Sequence, residues 1–247
     1  MSLYLYDGSI EGLLTAFSMA LEQNEGAAEF VSDKTPSTQL IFDARHVISQ
    51  PETADRLIAE IRRQCEDAVQ YLFRVLMTEN PESFPILFEY LQLVRQLGAR
   101  ANQYHAHSAV KHVLAQSRKV GSEIHRLKGL LRFRQLPDGV FWAPIEPDYN
   151  VTYAVAPYFT RRMADQNWII HDLRRQFAAV WHRRKLRYGP VPEGADLPTG
   201  GDSGEWEALW QTYFKSVAIP ERRNPRLQRQ NMPARYWKYL IEKPQQR

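Results

Sequence analysis

The chain has 247 residues, 24% of them charged, a net charge of +4 and a single cysteine. That length can bury a real core without a disulfide scaffold, and one cysteine suits a reducing compartment. No apolar run approaches the eighteen residues of a membrane span, and residues 1–8 have neither a basic region nor a long apolar one, so a cytoplasmic protein without membrane contact is expected.

Charge is divided unevenly along the chain. Residues 1–120 hold 11 basic and 15 acidic side chains, whereas 121–247 hold 21 and 13, so the halves carry −4 and +8. A basic second half is the composition of a protein with an anionic partner, nucleic acid above all.

Leu3, Tyr4, Leu5 and Tyr6 form a short strand closed by Asp7-Gly8, and Ser9 then caps a helix carrying Leu13, Leu14, Phe17 and Leu21. A second strand is expected over residues 39–43. Ser49 and Glu52 have capping-box spacing, with Pro51 in the first turn. Leu57, Ile61, Cys65, Val69, Leu72 and Leu76 form one apolar stripe, and Ile86, Tyr90, Leu91, Val94 and Leu97 form another. Ser83 starts the second of these helices and Gly98 stops it, with Asn80-Pro81 at the corner. A further helix over 108–128 uses Val113, Leu114, Val120, Ile124 and Leu127 as its apolar positions.

At Gly129 the period changes from 3.6 to 2. Residues 130–136 and 140–145 read as antiparallel strands joined through Pro137-Asp138-Gly139, with Arg132 and Arg134 on one strand face. A short helix is expected over 155–163, then strands at 168–172 and 177–181. Residues 183–204 contain three prolines and five glycines and read as a loop. Asp202 and Glu205 then open a helix through Trp206, Leu209, Trp210, Tyr213 and Phe214. The expected class is α+β: a helix-rich N-terminal half packed on a small antiparallel or mixed sheet, followed by C-terminal helices. It forms one domain over 1–247, divisible into a mainly helical part (1–128) and a sheet with a basic C-terminal segment (129–247).

Two cationic patches stand out: Arg126, Lys128, Arg132 and Arg134, and then Arg222, Arg223, Arg226 and Arg229, followed by Arg235, Trp237 and Lys238. The planar fork of arginine grips phosphate at two points, and Trp237 could stack on a base. Intramolecular pairing with the acidic half is the structural alternative. For acid–base chemistry the candidates are His125, Glu146, Asp148, His171 and Asp172, although neighbours on a strand point to opposite faces and so His171 and Asp172 are not a simple dyad. His105, His107 and His112 lack the carboxylate or cysteine spacing of a metal site, and the glycines fit no phosphate-binding loop, so neither a metal nor another cofactor is expected in this chain.

Five blocks carry a resemblance: Tyr6-Asp7-Gly8-Ser9, His125-Arg126-Leu127-Lys128-Gly129-Leu130-Leu131-Arg132-Phe133-Arg134, Ile145-Glu146-Pro147-Asp148, Trp168-Ile169-Ile170-His171-Asp172 and the stretch from Asn224-Pro225-Arg226 to Tyr236-Trp237-Lys238. In these the chain resembles a bacterial family described as probable DNA metabolism protein. That family is an uncharacterised domain, found alone or fused to a uracil-DNA-glycosylase-like domain and usually encoded beside a radical-SAM protein assigned to DNA repair. The resemblance implies an accessory, DNA-binding role in DNA repair or modification with a radical-SAM or glycosylase-type partner. Any iron–sulfur cluster and S-adenosylmethionine would belong to that partner. Because the resemblance spans nearly the whole chain, a fused glycosylase-like domain is not expected, and no catalytic residue is inherited. Two other functions fit the residues: a DNA hydrolase or lyase using His125 or His171 with a nearby carboxylate, and a protein-binding adaptor without nucleic-acid contact.

Overall fold

A computed structural model describes residues 2–34, 44–192, 212 and 224–240. The chain divides into two compact units, Met1–Gly121 and Ser122–Arg247, and has the expected α+β class.

The first unit holds a parallel sheet of order β2-β1-β3, made of β1 (Ser2–Tyr6), β2 (Ala28–Ser32) and β3 (Ala44–His46). In β1 the pleat turns Tyr4 and Tyr6 inward. Helix α1 (Ile10–Glu22) makes the crossover that parallel pairing requires, and the Ser9 hydroxyl caps it by accepting from Gly12 N at 2.9 Å. Sequence reading found β1 and α1 but not β2, whose one inward face offers only Ala28 and Phe30. The strand expected at 39–43 lies outside the described residues.

The stripe that reads as one helix is two, α2 (Pro51–Gln64) and α3 (Glu66–Leu76). They part at Cys65, where an extended backbone (φ −157°, ψ 102°) interrupts the helix while keeping both apolar faces on one core. Cys65 is buried, and its sulfur accepts from Asn102 Nδ2 at 3.3 Å. The expected capping box at Ser49 is not made: Gln50 takes the cap position with no side-chain bond to a first-turn amide, and Ser49 Oγ instead donates to Asp7 Oδ2 at 2.7 Å. Helix α4 (Ser83–Leu97) starts and stops where its signals lie, ending at Gly98 in a positive-φ conformation (59°) that glycine tolerates. A 3-10 turn (Gly98–Gln103) leads to α5 (Ser108–Leu130), within which the two units divide. The core joins Phe17 and Phe30, whose rings meet edge-on at 4.6 Å, to Leu72, Leu87, Phe88 and Val113.

The second unit holds a mixed sheet of order β4-β5-β6-β7-β8. Its strands are β4 (Arg134–Gln135), β5 (Phe141–Ile145), β6 (Trp168–Asp172), β7 (Phe177–His182) and β8 (Lys185–Pro190). Of these described strands only β5 and β6 pair in parallel, with α6 (Thr152–Arg162) as the crossover. The hairpin at Pro137-Asp138-Gly139 is present, with Gly139 at φ 85°, but its first strand has two residues rather than the expected seven. Phe133 leaves the pleat to pack edge-on against Phe159 (5.2 Å), and Arg132 turns back to donate to Gly129 O at 2.9 Å. Arg132 and Arg134 therefore do not form a strand face.

Residues 185–190, expected in a loop, form β8. Leu186 pairs opposite Trp181, and the Tyr188 ring lies 4.4 Å from that of Tyr153 on α6. Gly189, Pro190 and Pro192 obscure this alternation in the sequence. A last helix, α7 (Pro225–Asn231), and a 3-10 turn (Ala234–Tyr239) complete the description. Apart from Thr212, the helix expected through 206–214 lies outside the described residues.

Candidate nucleic-acid interface

The basic C-terminal block is organised by a carboxylate that the sequence reading did not single out. Glu123 lies on α5 between Val120 and Leu127 and is 1% exposed. Its Oε1 accepts from Asp148 N (3.1 Å), Arg235 Nη2 (3.0 Å) and the Tyr236 hydroxyl (2.6 Å), and its Oε2 accepts from Tyr149 N (3.0 Å). A buried carboxylate is tolerable only when so fully hydrogen-bonded. Burial and the Glu123 carboxylate beside it push the Tyr236 phenol up from its ordinary range, keeping it a neutral donor. An acidic residue in an otherwise apolar helical stripe was the available signal.

Around this anchor, several expected DNA contacts are engaged within the unit. Arg235 Nη1 also pairs with Asp148 Oδ2 at 2.8 Å. Glu146 accepts from Lys238 Nζ at 2.6 Å and from the Tyr239 hydroxyl at 2.5 Å; both bonds hold its carboxyl below the usual range. Burial, followed by the bond to Glu146, pushes the Tyr239 phenol up to about 12. The Trp237 indole N–H donates to Met232 O at 2.8 Å, pinning the turn between α7 and the 3-10 segment. Arg235 and Lys238 thus hold the block on its unit, and Trp237 braces it internally.

Helix α7 has the opposite character. Asn224 Oδ1 caps it by accepting from Leu227 N at 3.0 Å, Pro225 fills its first turn, and none of its residues is buried. Arg226 and Arg229, one turn apart, are both exposed, and Leu227 is 53% exposed. Among the described residues neither arginine forms an ion pair. Arg222 and Arg223 lie outside the described residues. On the last turns of α5, Arg126 is half-buried and Lys128 Nζ sits 5.6 Å from the centre of the Tyr158 ring.

The acid–base candidates are not assembled into one site. His125 is exposed on α5, and no hydrogen bond or ion pair joins it to Glu146, Asp148, His171 or Asp172 among the described residues. Asp172 is fully buried. It accepts from Arg174 N (3.0 Å), Arg175 N (3.2 Å) and Arg175 Nη1 (3.1 Å). The same guanidinium donates to the carbonyls of Pro147 (3.3 Å) and Asp148 (3.1 Å), so Asp172 shapes the turns at the ends of β5 and β6. His171, buried at 3% exposure, stands opposite Pro144 and Ala178. Burial depresses its pKa, opposed by Asp172 and by Gln176. Although Gln176 is near enough to act on the ring, neither ring nitrogen has a hydrogen-bond partner of regular geometry.

The three early histidines have separate surroundings. His107 faces Glu89 at 3.6 Å, His112 Nε2 lies 3.1 Å from Ser83 Oγ, and His105 is exposed. An open depression of about 300 Å³ in the first unit lies between β2 and the start of α4, where Glu29 and Glu89 make its rim acidic.

Fold and site together define an α+β protein whose second unit carries a basic C-terminal block clamped by buried and half-buried carboxylates. The chain belongs to DUF4130, described as a domain of unknown function, whose family model matches residues 81–242. No curated protein and no solved structure matches it. No helix among the described residues is long and apolar enough to cross a membrane.

Proposed function

We propose that this protein is an accessory DNA-binding protein of DNA repair or modification, acting in the cytoplasm with a radical-SAM or glycosylase-type partner. The observation that carries the DNA-binding part is α7, which buries none of its residues yet is capped at its start and clamped just beyond its end, leaving Arg226 and Arg229 exposed. A helix that buries nothing has no packing reason to be ordered, so its use is what it presents. Arg126 and Lys128 at the end of α5 and the +8 charge of residues 121–247 support the same reading. The repair context and the partner come from the family resemblance. An iron–sulfur cluster and S-adenosylmethionine belong to the partner.

The test is binding of oligonucleotides by the full chain across a salt series. Arg226→Ala with Arg229→Ala should weaken binding and make the log–log salt slope shallower by about 1.8, or about 0.9 per lost phosphate contact. Absence of binding to any DNA at low salt would overturn the proposal.

A further inference from the structure

We infer that the β7–β8 hairpin is a second nucleic-acid contact, a rigid ribbon whose tip grips the phosphates of duplex DNA. This deepens the DNA-binding reading and rests on it, but it uses different residues. Strands β7 and β8 pair in antiparallel register from Phe177↔Pro190 to His182↔Lys185, leaving Arg183 and Arg184 as a two-residue loop. Both have positive φ, 49° and 63°. Such a loop ordinarily takes Asn-Gly or Asp-Gly, because L side chains disfavour that region. Two arginines make the turn costlier than it need be. A strained conformation with a poor local rationale is grounds for a functional hypothesis.

The charge pattern says what the tip would meet. His182, Arg183, Arg184, Lys185 and Arg187 are all exposed, as are Arg161 and Arg162 at the end of α6. The 163–167 connection, which bonds to the hairpin, contributes one carboxylate, Asp165. Among the described residues none of these arginines, nor Lys185, makes an ion pair. Unpaired guanidinium groups at the end of a ribbon fit phosphate oxygens, which they bind bidentately.

The tip is held in place before any ligand arrives. Trp181 Nε1 donates to Ala164 O at 3.2 Å, Arg183 N donates to Asn167 Oδ1 at 3.2 Å, and the Trp181 ring stacks on the buried Trp168 with centres 6.3 Å apart. These contacts also favour a duplex over a single strand. Single-strand sites need free aromatic platforms, whereas here Trp181 is half-buried against Trp168 and Tyr188 against Tyr153. A two-stranded ribbon, in contrast, fits the major groove and can reach phosphates on its walls.

The deciding variant is Arg183→Asn with Arg184→Gly in the full chain. It removes both charges while installing the dipeptide that this turn prefers, so its melting temperature should hold or rise. Binding to a duplex oligonucleotide at 50 mM salt is expected to weaken several-fold, and the salt slope to become shallower by about 1.8. Arg62→Ala with Arg63→Ala, removing the same charge from the first unit, should leave both quantities unchanged. A folded hairpin variant with wild-type affinity and slope overturns the hairpin contact while leaving DNA binding through α7 standing. An equal loss on single strands, or an equal loss in the Arg62/Arg63 variant, overturns it too. If the wild-type chain binds no DNA, both proposals fall; if the hairpin variant loses affinity while the Arg226/Arg229 and Arg62/Arg63 variants do not, the hairpin stands and the α7 assignment falls.

Discussion

Replacing Glu123 with alanine tests how the C-terminal block is held. The substitution removes one carboxylate and leaves four donors to find new partners: Asp148 N, Tyr149 N, the Tyr236 hydroxyl and Arg235 Nη2. They will not suffer equally. Arg235 keeps Asp148 and is 39% exposed, so it remains solvated, while the amides of Asp148 and Tyr149 belong to exposed and half-buried residues. Tyr236 is 3% exposed, and its hydroxyl, which still accepts from Arg235 Nη2 at 3.2 Å, is left as a buried donor without an acceptor, at about 1–3 kcal/mol. Adding partial penalties for the two amides gives a loss of about 3–5 kcal/mol, the range typical of breaking a buried charged network. Against a total stability of about 5–15 kcal/mol for a domain, that is large. Urea unfolding followed by circular dichroism measures it. Tyr236→Phe, which removes the hydroxyl alone, should cost about 1–1.5 kcal/mol, and the double variant should fall short of the sum because the two residues share a bond. Because Glu123 holds the block that follows α7, limited proteolysis should cut residues 224–231 faster in Glu123→Ala. A loss below about 1 kcal/mol with unchanged proteolysis would refute the clamp.

Two further predictions concern His171 and the packing around Asp7. The pKa of His171 is depressed by burial, so below about pH 6.5 the unfolded chain takes up a proton that the folded one resists, and stability falls with pH. His171→Leu should flatten this acid limb between about pH 7 and 5 and hold stability at pH 7.5; an unchanged pH dependence of the urea midpoint would contradict the assignment. Gly12→Ala should lower the melting temperature although alanine is the better helix former. Its Cβ would lie 2.3 Å from Asp7 Oδ1 and 2.7 Å from Ser49 Oγ. Asp7 cannot yield without losing its bonds to Ser9 N (2.9 Å), Ser9 Oγ (2.6 Å) and Ser49 Oγ (2.7 Å). A cost of about 1–3 kcal/mol is expected, and a raised melting temperature would refute it.

What the sequence determined by itself is what neighbouring residues decide. Ser9 caps α1, Ser83 and Gly98 bound α4, and the run 168–172 is a strand, because capping, left-handed backbone and alternation act within a few positions. The concentration of cations in the second half was equally plain. Tertiary structure decided where continuous patterns break and which charges remain available. Cys65 splits an unbroken apolar stripe because both helices must face one core, and Phe133 is drawn out of the alternating basic run by Phe159. Arg235 and Arg226 look alike in the sequence, nine positions apart, yet one meets the buried Glu123 and the other meets solvent. The difference comes from a carboxylate 112 residues away. Local pattern can place a charge on an element, but only the packing of distant segments determines whether that charge is neutralised inside the protein or left for a partner.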